Sequence, residues 1–291
     1  MSDRSDPAIP TPPTPPPPNL HGDCDAVDHI VVVAGSAPLA AHVVEAIDPA
    51  AIVLAADSGL DVARDAGLHP SGLIGDLDSV SADGLAWAEE HSIISRHPDD
   101  KDLTDTELAL AFAADMNPDR LTLVGGGDRL DHSLAAIGAL GSPTLTSVPV
   151  VDGWWGGHHL DVLHGPDRRT LVLEPGSTFS VIALHGRCSG VVLDGARWPL
   201  DGVTVEPSAG FGISNEVAGE DGRVKVGVTD GVLTVFDVPS RSDPSTSSTG
   251  PPEAAAVAAS DTASNARSGA TTVPTPTPSS PDHSPTPSKD T

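Results

Sequence analysis

Between residues 29 and 151, short β-branched runs alternate with apolar-periodic, helix-like stretches, and few folds accept that alternation. The runs fall at 29–34, 52–55, 73–75, 92–95, 121–124 and 144–148, with helical patterns at 39–47, 82–91 and 105–114 between them. Strands separated by helices cannot pair as hairpins, so the pattern predicts a parallel, Rossmann-like α/β sheet. One helix start is marked by the capping-box form Thr104-x-x-Glu107 ahead of Leu108-Ala109-Leu110-Ala111.

After about residue 160 the pattern changes to alternating strands broken by Asp194-Gly195, Asp201-Gly202, Asp221-Gly222 and Asp230-Gly231, dipeptides typical of hairpin turns. The runs 223–228 and 232–236 are expected to pair around the last of these as an antiparallel ribbon. A small all-β sandwich or jelly roll is therefore expected to follow the α/β part. The ends differ in kind, because residues 1–27 and 240–291 carry 17 of the 29 prolines in Pro/Ser/Thr/Ala tracts. Such tracts cannot bury enough apolar surface to offset the entropy of ordering, and disordered tails are expected there. The expected organisation is a tail over 1–27, an α/β catalytic domain over 28–160, an all-β domain over 161–239 and a tail over 240–291.

A formal charge of −26 leaves no basic patch of the kind that nucleic acids or anionic membranes require. The two cysteines, Cys24 and Cys188, cannot staple the globular part, and no apolar run is long enough to span a bilayer. A cytoplasmic protein without an export signal is expected.

Three acid-rich clusters carry the chemistry. Asp76 and Asp78 follow the strand at 73–75 and belong at the carboxyl edge of the sheet, where ligands of open α/β folds bind; Asp57 ends the neighbouring strand. Lys101, the only lysine in residues 1–224, stands with Asp102 before the helix that Thr104 caps, and Asp105 lies in its first turn. Helix N-termini favour anions, so Lys101 is a candidate phosphate partner with Asp102 or Asp105 a candidate metal ligand. Gly125-Gly126-Gly127 then leads through Arg129 to Asp131 and His132 at the start of another helix, a turn that lets backbone approach a ligand closely. Hard carboxylate oxygens beside one or two cations suit a divalent metal and a polyphosphate. Taken singly, each cluster also reads as an ordinary helix cap or turn.

Read in order, Ala56-Asp57-Ser58-Gly59, Gly75-Asp76-Leu77-Asp78-Ser79, Lys101-Asp102-Leu103-Thr104-Asp105, Gly127-Asp128-Arg129-Leu130-Asp131-His132 and Ser214-Asn215 resemble the motifs of the thiamine pyrophosphokinase (thiamine diphosphokinase) family. Ser58 and Asp128 depart from that pattern, each standing where the family has glycine. The resemblance implies transfer of the pyrophosphoryl group of ATP to the thiamine hydroxyl, with Mg²⁺, giving thiamine diphosphate and AMP. It implies catalytic roles for Asp76, Asp78, Asp105 and Asp131, the last to orient or deprotonate the hydroxyl. Asp76 and Asp78, with Asp102 or Asp105, are the implied Mg²⁺ ligands. Asp57, Lys101, Asp102, Thr104 and Arg129 are the implied contacts to ATP, Asp57 to nucleotide or metal. Trp198 would stack on thiamine, with Ser214 and Asn215 as polar companions, and the site would lie between the subunits of a homodimer. A metal-dependent phosphoesterase and a non-catalytic nucleotide or thiamine sensor are the competing readings. Residues 151–164, with Trp154-Trp155 and His158-His159, match no part of the resemblance and are expected to form a polar interdomain loop rather than a metal site.

Overall fold

Helices cover both faces of the first six strands, so these strands are apolar almost throughout. The computed structural model describes residues 27–35, 37–127 and 129–238; apart from Val27, the two expected disordered tails lie outside them. Strands β1 (His29–Ala34), β2 (Ile52–Ala56), β3 (Gly72–Gly75), β4 (Ile93–Arg96), β5 (Arg120–Gly125) and β6 (Val150–Trp155) are all parallel, in the spatial order β6-β5-β1-β2-β3-β4. The order reverses between β1 and β5. That reversal opens a crevice at the carboxyl ends of these two strands.

Alternate residues of each strand serve opposite cores. Ile30, Val32, Leu54, Leu121, Leu123 and Val151 pack beneath helices α4 (Asp105–Asp115) and α5 (Leu130–Ala139). Val31, Val33, Val53 and Val124 pack against α1 (Ala41–Ala46) and α2 (Gly59–Asp65), while α3 (Ala82–His91) covers Leu73 through Ala88. The capping box at Thr104 forms as its sequence requires, with Glu107 bonding back to the Thr104 N–H at 2.8 Å.

Residues 151–164 are not a loop. They form the β6–β7 hairpin, β7 (His158–His164) running antiparallel to β6 through Gly156-Gly157, whose φ values of 58° and 85° give the doubly positive turn that two-residue hairpins favour. The sheet then continues without interruption into β14 (Val232–Val238), β9 (Thr178–Ile182) and β12 (Asn215–Glu216). Across from these strands lies a second sheet in the order β11-β10-β13-β8, made of β8 (Asp167–Val172), β10 (Cys188–Asp194), β11 (Leu200–Val205) and β13 (Arg223–Val228). Phe179, Val181, Leu233 and Val235 from the first sheet meet Val191, Leu193, Val224 and Val226 from the second, which makes the expected sandwich.

Three local expectations fail. The run 144–148 is a 3₁₀ turn, Pro143–Leu145, because Pro143 favours a helical start over a strand; the sixth strand forms a few residues later. Asp201-Gly202 lies inside β11, with Gly202 at φ 63°, and is no hairpin turn. Strands β13 and β14 do not pair: β13 bonds to β8 and β10, and β14 to β7 and β9, so Asp230-Gly231 carries the chain from one sheet to the other. Each strand buries an apolar face against the other sheet, and a flat ribbon of the two would leave that face uncovered.

Beyond α1, the face shared by Val31 and Val124 turns polar. Asp152, 1% exposed, accepts from Thr122 Oγ1 and from Arg120 Nε, and His159 sits with Nε2 3.8 Å from Asp152 and Nδ1 3.6 Å from Asp161. Burial opposes charging His159, but Asp152 and Asp161 outweigh it and raise its pKa; Arg120 acts in the opposite sense, and His159 in turn acts on Asp237 of β14. Because Arg120 already neutralises Asp152, the cluster reads as an ion-pair network with His159 as its second cation. A raised folded pKa gives stabilisation that is complete below the unfolded value of 6.5 and is lost as pH rises through the folded value. His159→Gln should therefore lower Tm most below pH 6.5, and progressively less as the pH rises above it. Thermal melts of both proteins across that range check this, and a pH-independent difference would remove the charge from the account.

Candidate active site

The three acid clusters meet because each follows a parallel strand, and parallel strands deliver their carboxyl ends to one edge. Asp57 leaves β2 at φ 48°, and its N–H donates to Ile74 O at 2.9 Å, which ties the ends of β2 and β3 together. Gly75 ends β3 at φ 148°. A Cβ there would stand 2.9 Å from Asp105 Oδ1 and 3.3 Å from Asp57 Cβ, so glycine is what lets the acids of three elements converge. Leu77, at φ 69° and buried, turns the chain so that Asp76 and Asp78 both face the same edge as Asp57. One oxygen from each of Asp57, Asp76 and Asp78 lies within 4.8 Å of the others.

Lys101 holds this arrangement. Its Nζ is 2.6 Å from Asp76 Oδ2 and 2.9 Å from Asp105 Oδ1, and Asp105 Oδ1 also accepts from the Asp76 N–H at 3.2 Å. Burial disfavours the ammonium, but the two carboxylates outweigh that cost and raise the Lys101 pKa. The Lys101 hydrogen bond correspondingly lowers the pKa of Asp76. Asp57 moves the other way: burial raises its pKa, with the Asp105 and Asp76 charges adding, and its Oδ1 is buried with no hydrogen-bond partner among the described residues. An orphaned carboxylate oxygen beside two further acids fits a hard divalent cation, for which Asp57, Asp76 and Asp78 would be the ligands. Asp102 is exposed and stands outside the convergent set.

A cavity of about 310 Å³ adjoins the acids, lined by Asp57, Thr104 and Asp105 on one side and by His132, Ala136 and Trp155 on the other. Arg129 and Asp131 do not line it. They bond to each other, Nη2 to Oδ2 at 2.6 Å, with both side chains about two-thirds exposed, and Arg129 lowers the Asp131 pKa. Ser58, Ser79, Thr106, His132 and Trp155 also line the cavity, although the sequence assigned none of them a binding or catalytic role. For Trp155 a signal existed: Gly156-Gly157 after an apolar run is a hairpin dipeptide, which would have placed the tryptophan at a strand end.

The residues expected to bind the second substrate lie together on the β sandwich. Asn215, 3% exposed, accepts from the Trp198 N–H at 3.1 Å and the Glu216 N–H at 2.9 Å and donates to Trp198 O at 2.8 Å. Its amide is thus spent on shaping the loop that presents Trp198. That indole is 54% exposed, with the Arg197 guanidinium 4.9 Å from its ring centroid. Ser214, at φ 57°, is fixed by its N–H to Ser180 Oγ.

Comparison with known proteins agrees with this layout. The family model for the thiamin pyrophosphokinase catalytic domain matches residues 43–151, and that for the thiamin pyrophosphokinase vitamin B1 binding domain matches 158–233. The chain belongs to the thiamin pyrophosphokinase family. A thiamine pyrophosphokinase of Bacillus subtilis (strain 168) is 25% identical over 191 residues, 64% of this chain and 88% of that protein. In fold, the crystal structure of a Bacillus subtilis thiamine pyrophosphokinase superposes with a TM-score of 0.61 at 23% identity, covering 72% of this chain and 98% of that one. The Candida albicans thiamin pyrophosphokinase gives 0.60 at 13% identity, covering 72% and 89%. The parallel sheet with its appended sandwich is thus the architecture of this family.

Since Asn215 makes three hydrogen bonds out of water, Asn215→Ala should lower stability by about 2 kcal/mol and displace the Trp198 loop, raising the KM for thiamine if Trp198 has the stacking role that the resemblance implies. Denaturant unfolding together with the KM for thiamine checks both; unchanged stability would overturn the structural role.

Proposed function

We propose that this pyrophosphokinase works at the Asp57–Asp76–Asp78 edge, moving the pyrophosphoryl group of ATP to the thiamine hydroxyl and releasing AMP. The observation that supports this most is the meeting of three carboxylates beside Lys101 at the mouth of a cavity. The thiamine hydroxyl oxygen bonds to the β-phosphorus, the bond from that phosphorus to the α–β bridging oxygen breaks, AMP leaves with that oxygen, and the hydroxyl proton is released to water. The loose transition state of such transfers asks the protein mainly for alignment and charge neutralisation. Mg²⁺, when bound, supplies electrostatic stabilisation of the phosphoryl oxygens. Lys101 and Thr104 contact the phosphates, while Asp105 keeps Lys101 aimed at them. Asp131 orients Arg129 at the rim; its lowered pKa makes it a weak base, and the reaction asks little of one. Residues 28–160 take the catalytic part and 161–239 the thiamine-binding part. The buried reduced thiol of Cys188 suits a cytoplasmic setting, and no helix among the described residues is long and apolar enough to cross a membrane.

An assay of ATP plus thiamine, with and without Mg²⁺, should yield AMP and thiamine diphosphate in equal amounts only when all three are present. AMP-free binding, or phosphate release without thiamine, would defeat the proposal. Asp78, exposed and outside the core, can be replaced without loss of packing. Asp78→Ala should cut kcat by about 100-fold or more with Tm unchanged.

Thiamine is a flat cation, and the exposed Trp198 ring offers a matching face. Phe211 and Ile213 are exposed in the same polypeptide region, and on α5 Leu130 is 71% exposed beside the exposed Leu134. Two apolar surfaces of this kind suit a homodimer in which the sandwich of one copy closes the cavity edge of another. Asp78→Ala and Trp198→Ala chains, each inactive, should recover about a quarter of wild-type activity on random 1:1 mixing, because half of the resulting dimers would hold one intact site. No recovery after verified subunit exchange would place both residues in a single-chain site.

A further inference from the structure

The cavity crosses the sheet edge from β2 to β6. Neighbouring strands are about 4.8 Å apart, so the three intervals from β2 through β1 and β5 to β6 span roughly 14 Å. Its two ends differ chemically. Asp57, Thr104 and Asp105 lie at the β2 end with Lys101 behind them, and at the β6 end Trp155 stands with Ala135 and Ala136. A nucleotide has the same polarity: a flat, weakly polar base at one end and a polyanion at the other.

The space before Trp155 is cleared by glycine. Trp155 pairs laterally with Gly125, and a Cβ on Gly125 would fall 2.6 Å from the indole Cζ3, inside the ring's own volume. The next glycines hold the hairpin that carries the tryptophan: Gly156 N–H donates to Gly125 O at 2.9 Å, and a Cβ on Gly126 would collide with Gly156 N at 2.6 Å. The Gly125-Gly126-Gly127 turn, which from sequence alone suggests a close backbone approach to a ligand, thus makes room for an aromatic wall from the next hairpin. The Trp155 Nε1 donor is buried and has no hydrogen-bond partner among the described residues, as is true of Oδ1 of Asp57, another lining residue.

We propose that Trp155 is the nucleobase-binding residue, the base of the nucleotide substrate stacking on its indole while the phosphates reach the acids and Lys101. This rests on the reading of the cavity as the ATP site. Stacking reads the size of the π face, so purine nucleotides are favoured over pyrimidine ones.

The test uses the full chain and separates base from phosphate. Trp155→Ala should raise the KM for ATP and the dissociation constant of AMP by about 10-fold or more, leaving the KM for thiamine and the inhibition constant of magnesium tripolyphosphate, which has no base, within about twofold. Trp155→Phe, which keeps a ring and loses the donor, should lie between. If Trp155→Ala is too unstable to assay, AMP should quench tryptophan emission in wild type and not in Trp155→Phe. Unchanged AMP affinity in Trp155→Ala, equal weakening of AMP and tripolyphosphate, or quenching that survives in Trp155→Phe would overturn the assignment. A wild-type protein that binds AMP through Trp155 but makes no thiamine diphosphate would defeat the proposed reaction and leave the base site standing.

Discussion

Carboxylates held within 4.8 Å of one another repel, and the rest of this site follows from how the fold tolerates that repulsion. At an effective dielectric near 20, each such pair costs on the order of 3 kcal/mol, which flexible loops would relieve by moving apart. Here they cannot. Asp57 and Asp76 follow directly on strands β2 and β3 and are tied by the Asp57 N–H to Ile74 O bond, and Gly75 removes the only side chain that could wedge between them and Asp105. Lys101 supplies the compensating charge, shared between Asp76 and Asp105. It makes no ion pair with Asp57 or Asp78, and those two carboxylates, with Asp76, are the ones proposed to hold a cation.

The β6–β7 hairpin joins this edge to the sandwich. Its outer residues extend one sheet from the parallel strands into the antiparallel ones, and its turn packs on the Gly125–Gly127 loop and positions Trp155. The sandwich therefore does more than add a second binding surface. Through β14 pairing with β7, and β7 with β6, it fixes the wall of the first cavity, so the two halves are mechanically one unit even though their motifs are separable in sequence.

What could be read from sequence was whatever a local rule determines. The first five parallel strands, the Thr104 cap and the acids at strand ends each depend on residues close in the chain, and they appear where those residues predict. Partner choice among antiparallel strands was not legible: β13 and β14 are adjacent, alternate correctly and flank an Asp-Gly, yet belong to different sheets because burial across the sandwich outweighs the local turn. The same limit hid Trp155, whose role depends on lying beside Gly125, 30 residues earlier by number. The structural part of Asn215 was not legible, since its three bonds to neighbouring backbone are made by tertiary approach.

Charge ties the proposed chemistry together. A chain of formal charge −26 attracts a thiazolium cation and repels free ATP at long range, so its two substrates meet opposite fields at the same protein. In the proposed reaction exposed aromatic surface suffices for the first, because the field already favours it; the Arg197 guanidinium lies over the Trp198 ring at 4.9 Å from its centroid, and Glu216 at 2.8 Å pairs with its charge. The second needs its charge cancelled before it arrives. Lys101 cannot do that alone, having two carboxylates of its own to satisfy. In the proposed mechanism that demand falls instead on a divalent ion arriving with the nucleotide, and an acid-rich site would then disfavour the metal-free triphosphate relative to the complexed one.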